Sequence, residues 1–511
     1  MATTVTSTQV EYRIAELNSD FELPASPVFL PITADTGTAS FTVDVTTQGR
    51  ETLTATRQRG KGDVVDFEST GSYDSAVTSV GFMERLQGFL YADVRETVKT
   101  MPINGTDIPI TSVSATQYLA DSGLDAFNTG DLILADNFTN AGNNGLKNIT
   151  ASASGTLTAS GLVAEASPPS DAQITQVGFQ FASADATITT PSDDLPRLNA
   201  TAKDLTELDL VVGQWVVIGG DATNNQFNTD GANFIGRVNT ITADYISFDK
   251  SDINVSADTG TGKTIRIFFG DVIKNENDTD LITIRKYEVE KRLGEDSDGD
   301  LSQYLNEMQG TTLTLSIPTT GFLTASYGFS GTTSEERTGS EGLKTGTRPA
   351  ETDEAPFSSV NGVVDASLQP ADGSLTNPDA YFTYITELSI EIDNNVGRQN
   401  AIGTRGAIAT PEGTFSVSGS LTCALQNNLE YLTAISDGAD VTAHVIWATA
   451  NNVGLVFDLP LITLGGGGET IGEGEIVSIP LTYEASASGD GDDRHTFMVN
   501  SWHYTPDRVA P

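Results

Sequence analysis

The chain has 511 residues, 38% hydrophobic and 19% charged, a length that holds two to four domains. Asp and Glu number 69 against 27 Lys and Arg, giving a formal charge of −42 and excluding a protein that grips phosphate backbones. Such a charge also keeps a chain soluble by self-repulsion. The polar remainder is mostly Thr, Ser, Gly, Asn and Asp, which favour strands and tight turns and predict an all-β fold with minor α. The opening MATTVTSTQV carries neither a basic start nor an apolar run, so no signal peptide is expected. No run of about 18 apolar residues occurs, so no membrane insertion is expected. The one cysteine, Cys423, rules out an intrachain disulfide.

From the N-terminus, Ser40 to Val45 alternates as a strand, and Val64 to Glu68 does so more loosely. Phe82, Met83, Leu86, Phe89 and Leu90 then recur at helical spacing and predict a helix over about 77–92. Residues 125–275 read as an insert of two small related β-modules. Gly130 to Leu134 followed by an Asn143-Asn144-Gly145 loop is echoed by Gly213 to Ile218 followed by an Asp230-Gly231 loop.

Beyond 276 the pattern is the most regular. Leu313, Leu315 and Ile317 alternate with polar residues. Phe382, Tyr384, Leu388, Ile390 and Ile392 form one face, with Glu387, Ser389, Glu391 and Asp393 on the other. Phe415, Val417, Leu421 and Cys423 mark a further strand, and Leu425, Leu429, Leu432 and Ile435 a helix after it. The order strand, Gly-Ser, helix at 65–92 recurs at 413–435, as a duplication of the outer regions would leave it. The expected division is therefore 1–124, an N-terminal β domain; 125–275, the insert; and 276–511, a C-terminal domain. Segment 330–357 is nearly free of large apolar residues and reads as a long exposed loop.

Motifs for chemistry are weak. Ala257 to Thr264 resembles a phosphate loop but lacks its first Gly and runs into a strand, so it reads as a turn. Glu295 to Asp300 resembles a calcium loop with its Gly misplaced. His444, His495 and His503 have no metal spacing. No nucleophile elbow occurs at a strand-to-helix turn, so no catalytic residue, metal or cofactor is expected and the chain reads as a structural or interaction protein rather than an enzyme.

Gln303 to Gly310 with the strand and turn of 312–331, Thr386 to Asn395, Gln399 to Gly403 and the 412–421 strand resemble the major tail tube proteins of bacteriophages with long, non-contractile tails. The loop Thr139 to Gly145 resembles inserts found there. The resemblance implies tail-tube-type β-sandwich domains, two in tandem, each with a flanking helix and each lending strands to an inner β-barrel. It implies a virion tail component, assembled in the host bacterial cytoplasm. Six domain equivalents would close a ring, from three chains if both ends are tube domains or from six if one is. Stacked rings would pass double-stranded DNA without tight binding and would meet tape measure, terminator and distal tail proteins.

On that reading Glu387, Glu391 and Asp393 are candidate lumen residues. Glu335, Glu336, Arg337, Lys344, Arg348, Glu351 and Asp353 are candidates for a loop that locks onto the neighbouring ring. The alternatives are an acidic β-domain surface or adhesion protein, or a carbohydrate-active β-protein.

Overall fold

The computed structural model describes residues 9–507 apart from 50–60, 102–107, 193–194, 297–298, 352–353, 372–384, 426–434, 450, 467, 472–475 and 489–493. As the composition requires, strands dominate. The described strands fall mainly into a 16-stranded and a 13-stranded sheet, with one long α-helix, Val80–Leu90. That helix buries Phe82, Met83, Leu86, Phe89 and Leu90, the stripe read from the sequence. The Glu354 carboxylate accepts from the backbone N–H groups of Val80 and Gly81, which the first helical turn leaves unpaired.

The 16-stranded sheet draws on both ends of the chain. Glu11–Glu16 pairs with Lys286–Asp296, and Gly62–Ala76 pairs with Thr324–Gly331. The strands between residues 11 and 76 thus share one sheet and one apolar core with strands beyond 286, a core that includes Phe41, Tyr73, Leu313, Tyr327, Ile390 and Leu421.

Two halves repeat within this sheet. In the first, the hairpin Ser40–Gly49 and Gly62–Ala76 leads into the helix, and Lys286–Asp296, Gly299–Ile317 and Thr324–Gly331 complete it. In the second, Ile385–Asp393 and Ser416–Ala424 pair, residues 435–437 are helical, and Val441–Ala448, Gly454–Gly466 and Ser478–Ala485 complete it. The halves share an irregularity. Register shifts after Tyr287 opposite Met308, resuming at Val289 opposite Leu305, and after Val441 opposite Ile462, resuming at Ala443 opposite Leu459. Gly71 opposite Phe41 and Gly419 opposite Ile390 mark the same place in the two hairpins. A Cβ at either would strike an aromatic ring, of Phe41 or of Tyr483. Leu429 and Leu432 of the expected second helix, and Phe382 and Tyr384 of the expected strand, lie outside the described residues.

The 13-stranded sheet spans Thr100–Met101 to Arg266–Phe268 and so begins before residue 125. It carries the two modules back to back. The order Gln117–Ala120, Thr156–Ala159, Gly145–Ala153, Asp131–Asp136, Gln173–Gln180 is mirrored by Arg197–Asn199, Tyr245–Ser251, Ile235–Ile241, Trp215–Ile218, Arg266–Phe268. The two series meet where Gln173–Gln180 pairs with Arg266–Phe268.

Their loops are built alike. The Asn144 side chain accepts from Phe138 N–H and donates to Phe138 C=O, and Asn233 does the same for Phe227. Glu165 accepts from Thr139 N–H, and Asp258 from Thr229 N–H. The Asp258–Lys263 turn is therefore part of a module. The Asp258 carboxylate takes up Gly260 N–H, and Lys263 Nζ donates to Thr223 C=O.

The insert docks on the second half. Trp215, Ile446, Val456 and Trp502 share a buried cluster, and Trp502 Nε1 donates to Trp215 C=O at 3.1 Å.

Candidate functional site

Eight antiparallel strands lie side by side in the large sheet, four from each half. They are Ser40–Gly49, Gly62–Ala76, Thr324–Gly331, Gly299–Ile317, Ile385–Asp393, Ser416–Ala424, Ser478–Ala485 and Gly454–Gly466. Directly opposed residues share a face. One row across the run reads Asp74, Ser326, Thr314, Glu391, Ser418, Glu484, Thr463. Another reads Ser40, Ser72, Gly328, Thr312, Asp393, Ser416.

The opposite face is the core, with Phe41, Tyr73, Tyr327, Leu313, Ile390, Leu421 and Tyr483 all buried. Alternation alone produces this division. Most alternate residues are Ser, Thr, Asp or Glu, while those between them are mainly apolar.

Glu387, Glu391 and Asp393 all stand on the polar face, with Glu387 and Glu391 exposed. They join Asp44, Asp66, Glu68, Asp74 and Glu484 on it, with Asp44 opposite Glu68 and Asp66, Asp74 and Glu484 opposite hydroxyl side chains. In these paired rows no lysine or arginine appears among the described residues. One cation approaches from a loop: Arg398 lies 3.5 Å from Asp66 and 3.4 Å from Glu68. The face is a hydroxyl and carboxylate wall. It repels phosphate and hydrogen-bonds water.

Segment 330–357 departs from the exposed loop expected of it. Thr333–Gly339 is a strand on the edge of Gly299–Ile317, with Glu335 opposite Tyr304, Glu336 opposite Gln303 and Arg337 opposite Ser302. Arg337 pairs with Glu335 at 2.7 Å. Lys344 pairs with Glu288 and Glu335, each at 3.0 Å, and Arg348 with buried Glu290 at 2.5 Å. Arg348 also lies over the Phe29 ring, and Thr347 is hydrogen-bonded through its backbone to Pro27 and Phe29. Burial pushes the Glu288 carboxyl up, against the pull of Lys344. The charges were legible, but their partners, Glu288 and Glu290, come from a strand of the same chain. Glu336 and Glu351 stay exposed, and Asp353 lies outside the described residues.

The histidines form no catalytic array. His444 Nε2 faces both Asp365 Oδ2 at 2.8 Å and Ser367 Oγ at 3.1 Å, so one ring nitrogen meets both groups and no proton relay runs between them. His444 is buried against Trp215, and His503 pairs with Asp271. Asp300 of the calcium-like hairpin is held by Arg292, and among the described residues no cluster of three metal-ligating side chains occurs. The thiol of Cys423 is buried in the core and pushed up to about 12 by desolvation, which leaves it inert.

A family model described as phage tail tube protein matches residues 6–485, nearly the whole chain. The chain belongs to the phage tail tube protein family. It is thus a structural component of the virion tail, and its β-rich fold with minor α agrees with that. No curated protein matches this tail tube protein. Among its described residues no helix is long and apolar enough to cross a membrane.

Proposed function

We propose that this chain is the major tail tube subunit, that three copies close a ring, and that stacked rings form the conduit through which double-stranded DNA leaves the capsid. The observation that carries the reading is the run of eight strands with one acidic, hydroxyl-rich face. Each chain holds two copies of the four-strand unit, so a ring of six units takes three chains. The polar face would line the bore, with Glu387, Glu391 and Asp393 in its wall, and like charge would keep the genome from sticking. Among the described residues no lysine or arginine stands in the wall's paired rows, which suits passage rather than binding.

On this reading the ends of the stack meet tape measure, terminator and distal tail proteins, and assembly takes place in the bacterial cytoplasm. The exposed residues of segment 330–351, Glu336 and Glu351 among them, are the part of it open to a neighbouring ring. Purified chain imaged at rising concentration should form annular, stacking particles, and the native mass of the smallest should be that of three chains. Monomers under all conditions would overturn the conduit reading, and a six-chain ring would overturn the stoichiometry.

A further inference from the structure

We propose that Asn361 is a site of spontaneous chemical modification, in which its side-chain amide is lost through a succinimide and aspartate or isoaspartate takes its place.

The reaction depends on the following residue. Its backbone nitrogen attacks Cγ of the asparagine, and a glycine there has no side chain to obstruct the approach. The sequence holds three Asn-Gly pairs, at 104–105, 144–145 and 361–362. The first lies outside the described residues. The fold treats the other two in opposite ways.

Asn144 is locked. Its side-chain oxygen accepts from Phe138 N–H at 2.9 Å and its amide donates to Phe138 C=O at 2.8 Å. Both bonds must open before Cγ can turn toward the Gly145 nitrogen. Asn361 instead stands exposed just before strand Val363–Pro370. Among the described residues its side chain has no hydrogen-bond partner, and the attacking group, Gly362 N–H, has no acceptor.

The backbone demands glycine at 362. Its φ is +93°, and a Cβ would stand 2.8 Å from the Ala448 carbonyl oxygen. The Gly362 carbonyl in turn accepts from Ala448 N–H at 2.7 Å. The fold thus keeps, beside an open asparagine, the residue type that makes it labile.

Water is the only co-reactant. Gly362 N bonds to Asn361 Cγ, the bond from Cγ to the side-chain nitrogen breaks, and ammonia leaves with the proton that Gly362 N gives up. Water then opens the cyclic imide at either carbonyl and leaves a carboxylate. Isoaspartate also lengthens the main chain by a methylene, between exposed Val360 and the first pair of the strand, Val363 opposite Trp447. No new synthesis replaces a subunit within a virion, so the product accumulates with age.

The test is peptide mass spectrometry on the full chain held in mildly alkaline buffer, with isoaspartyl methyltransferase to label isoaspartate. Residue 361 should convert steadily, and faster as pH rises, because the attacking nitrogen must lose its proton. Residue 144 should convert at least about tenfold more slowly, since two hydrogen bonds must open first. In urea the two rates should converge, which assigns the difference to the fold. An unchanged Asn361, or equal native rates at 361 and 144, would overturn the proposal. Asn361→Gln should remove the label from its peptide and leave the melting temperature unchanged. Label persisting there would overturn the assignment. Amide exchange at Ala448 should rise in the aged wild-type chain and not in the aged variant, and equal exchange in both would overturn the effect on the strand.

Discussion

Arg237 of the insert donates through Nη1 to both carboxylate oxygens of Asp458 at 3.1 Å, while its Nε and Nη2 bind Asp249. Asp458 is fully buried on Gly454–Gly466, so this pair ties the insert to the second half of the tube body. Lys250 Nζ adds contacts to the Pro370 and Ala371 carbonyls. Burial pushes the Asp249 carboxyl up, and Arg237 pulls it further down, to below its ordinary value.

Breaking that tie should be costly. Arg237→Met leaves the Asp458 charge buried without its partner, and a loss of about 3–5 kcal/mol is expected. The double variant Arg237→Met with Asp458→Leu should recover the part of it owed to Asp458, while Asp249 still lacks its cation. Chemical denaturation of the four species of the cycle measures the coupling. Equal losses in the single and double variants would show that the pair does not act as a unit.

The repeated carboxylates of the modules set a pH dependence. Burial pushes Glu165 up, but the Asn143 amide and the Thr139 and Asn140 N–H groups hold it below its ordinary value. Burial likewise opposes, and the Gly260 and Thr229 N–H groups outweigh it, at Asp258, also lowered. A depressed carboxyl stabilises the fold above its unfolded pKa and loses that contribution as pH falls through the folded value. The amides of Thr139 and Thr229 should therefore stay protected from exchange above the ordinary carboxyl range and lose protection progressively as pH falls below it. Glu165→Gln should flatten the response at Thr139 and leave that at Thr229 intact.

Segment 340–349 should come loose when its anchor is cut. Arg348→Ala leaves Glu290 buried without its cation, a cost of about 3–5 kcal/mol. Trypsin should then cut after Lys344 well before the rest of the chain, while the wild-type protein resists at that site. Equal cleavage rates would mean that the pair with Glu288, rather than Arg348, holds the segment.

Charge reversal on the polar face should turn a non-stick wall into a sticky one. Glu387→Lys with Glu391→Lys leaves the core face untouched, since Ile390 and Ile392 point the other way. Assembled tubes of this variant should retain DNA at low salt and release it as salt rises. Wild-type tubes should retain none. Retention by neither would remove those two residues from the path of the DNA.

The core of this protein was legible because strands with one buried face write a period of two into the sequence. Leu313 and Leu315, Ile390 and Ile392, and Val417, Leu421 and Cys423 all proved buried. The helix was legible through its period of three to four, and the modules through a repeated order of strand and Asn/Asp/Gly loop. Partners distant in sequence were not legible. Nothing near Arg348 announces Glu290, and nothing near Arg237 announces Asp458, because ion pairing has no period. The same limit hid the pairing of Gly62–Ala76 with Thr324–Gly331, which interleaves the segments that alternation had assigned to separate domains.

The insert also bears on how the polypeptide folds. Lys291 Nζ reaches the Phe41 carbonyl across 250 residues of sequence, so the first half must gather pieces that leave the ribosome far apart in time. Closing so long a flexible loop costs entropy. An insert already folded changes that cost, because Arg95 bridges Val272 and pairs with Glu276 at 2.8 Å. Its two ends emerge side by side, and a detour of well over a hundred residues becomes, for the nascent chain, a short connection between helix Val80–Leu90 and strand Lys286–Asp296.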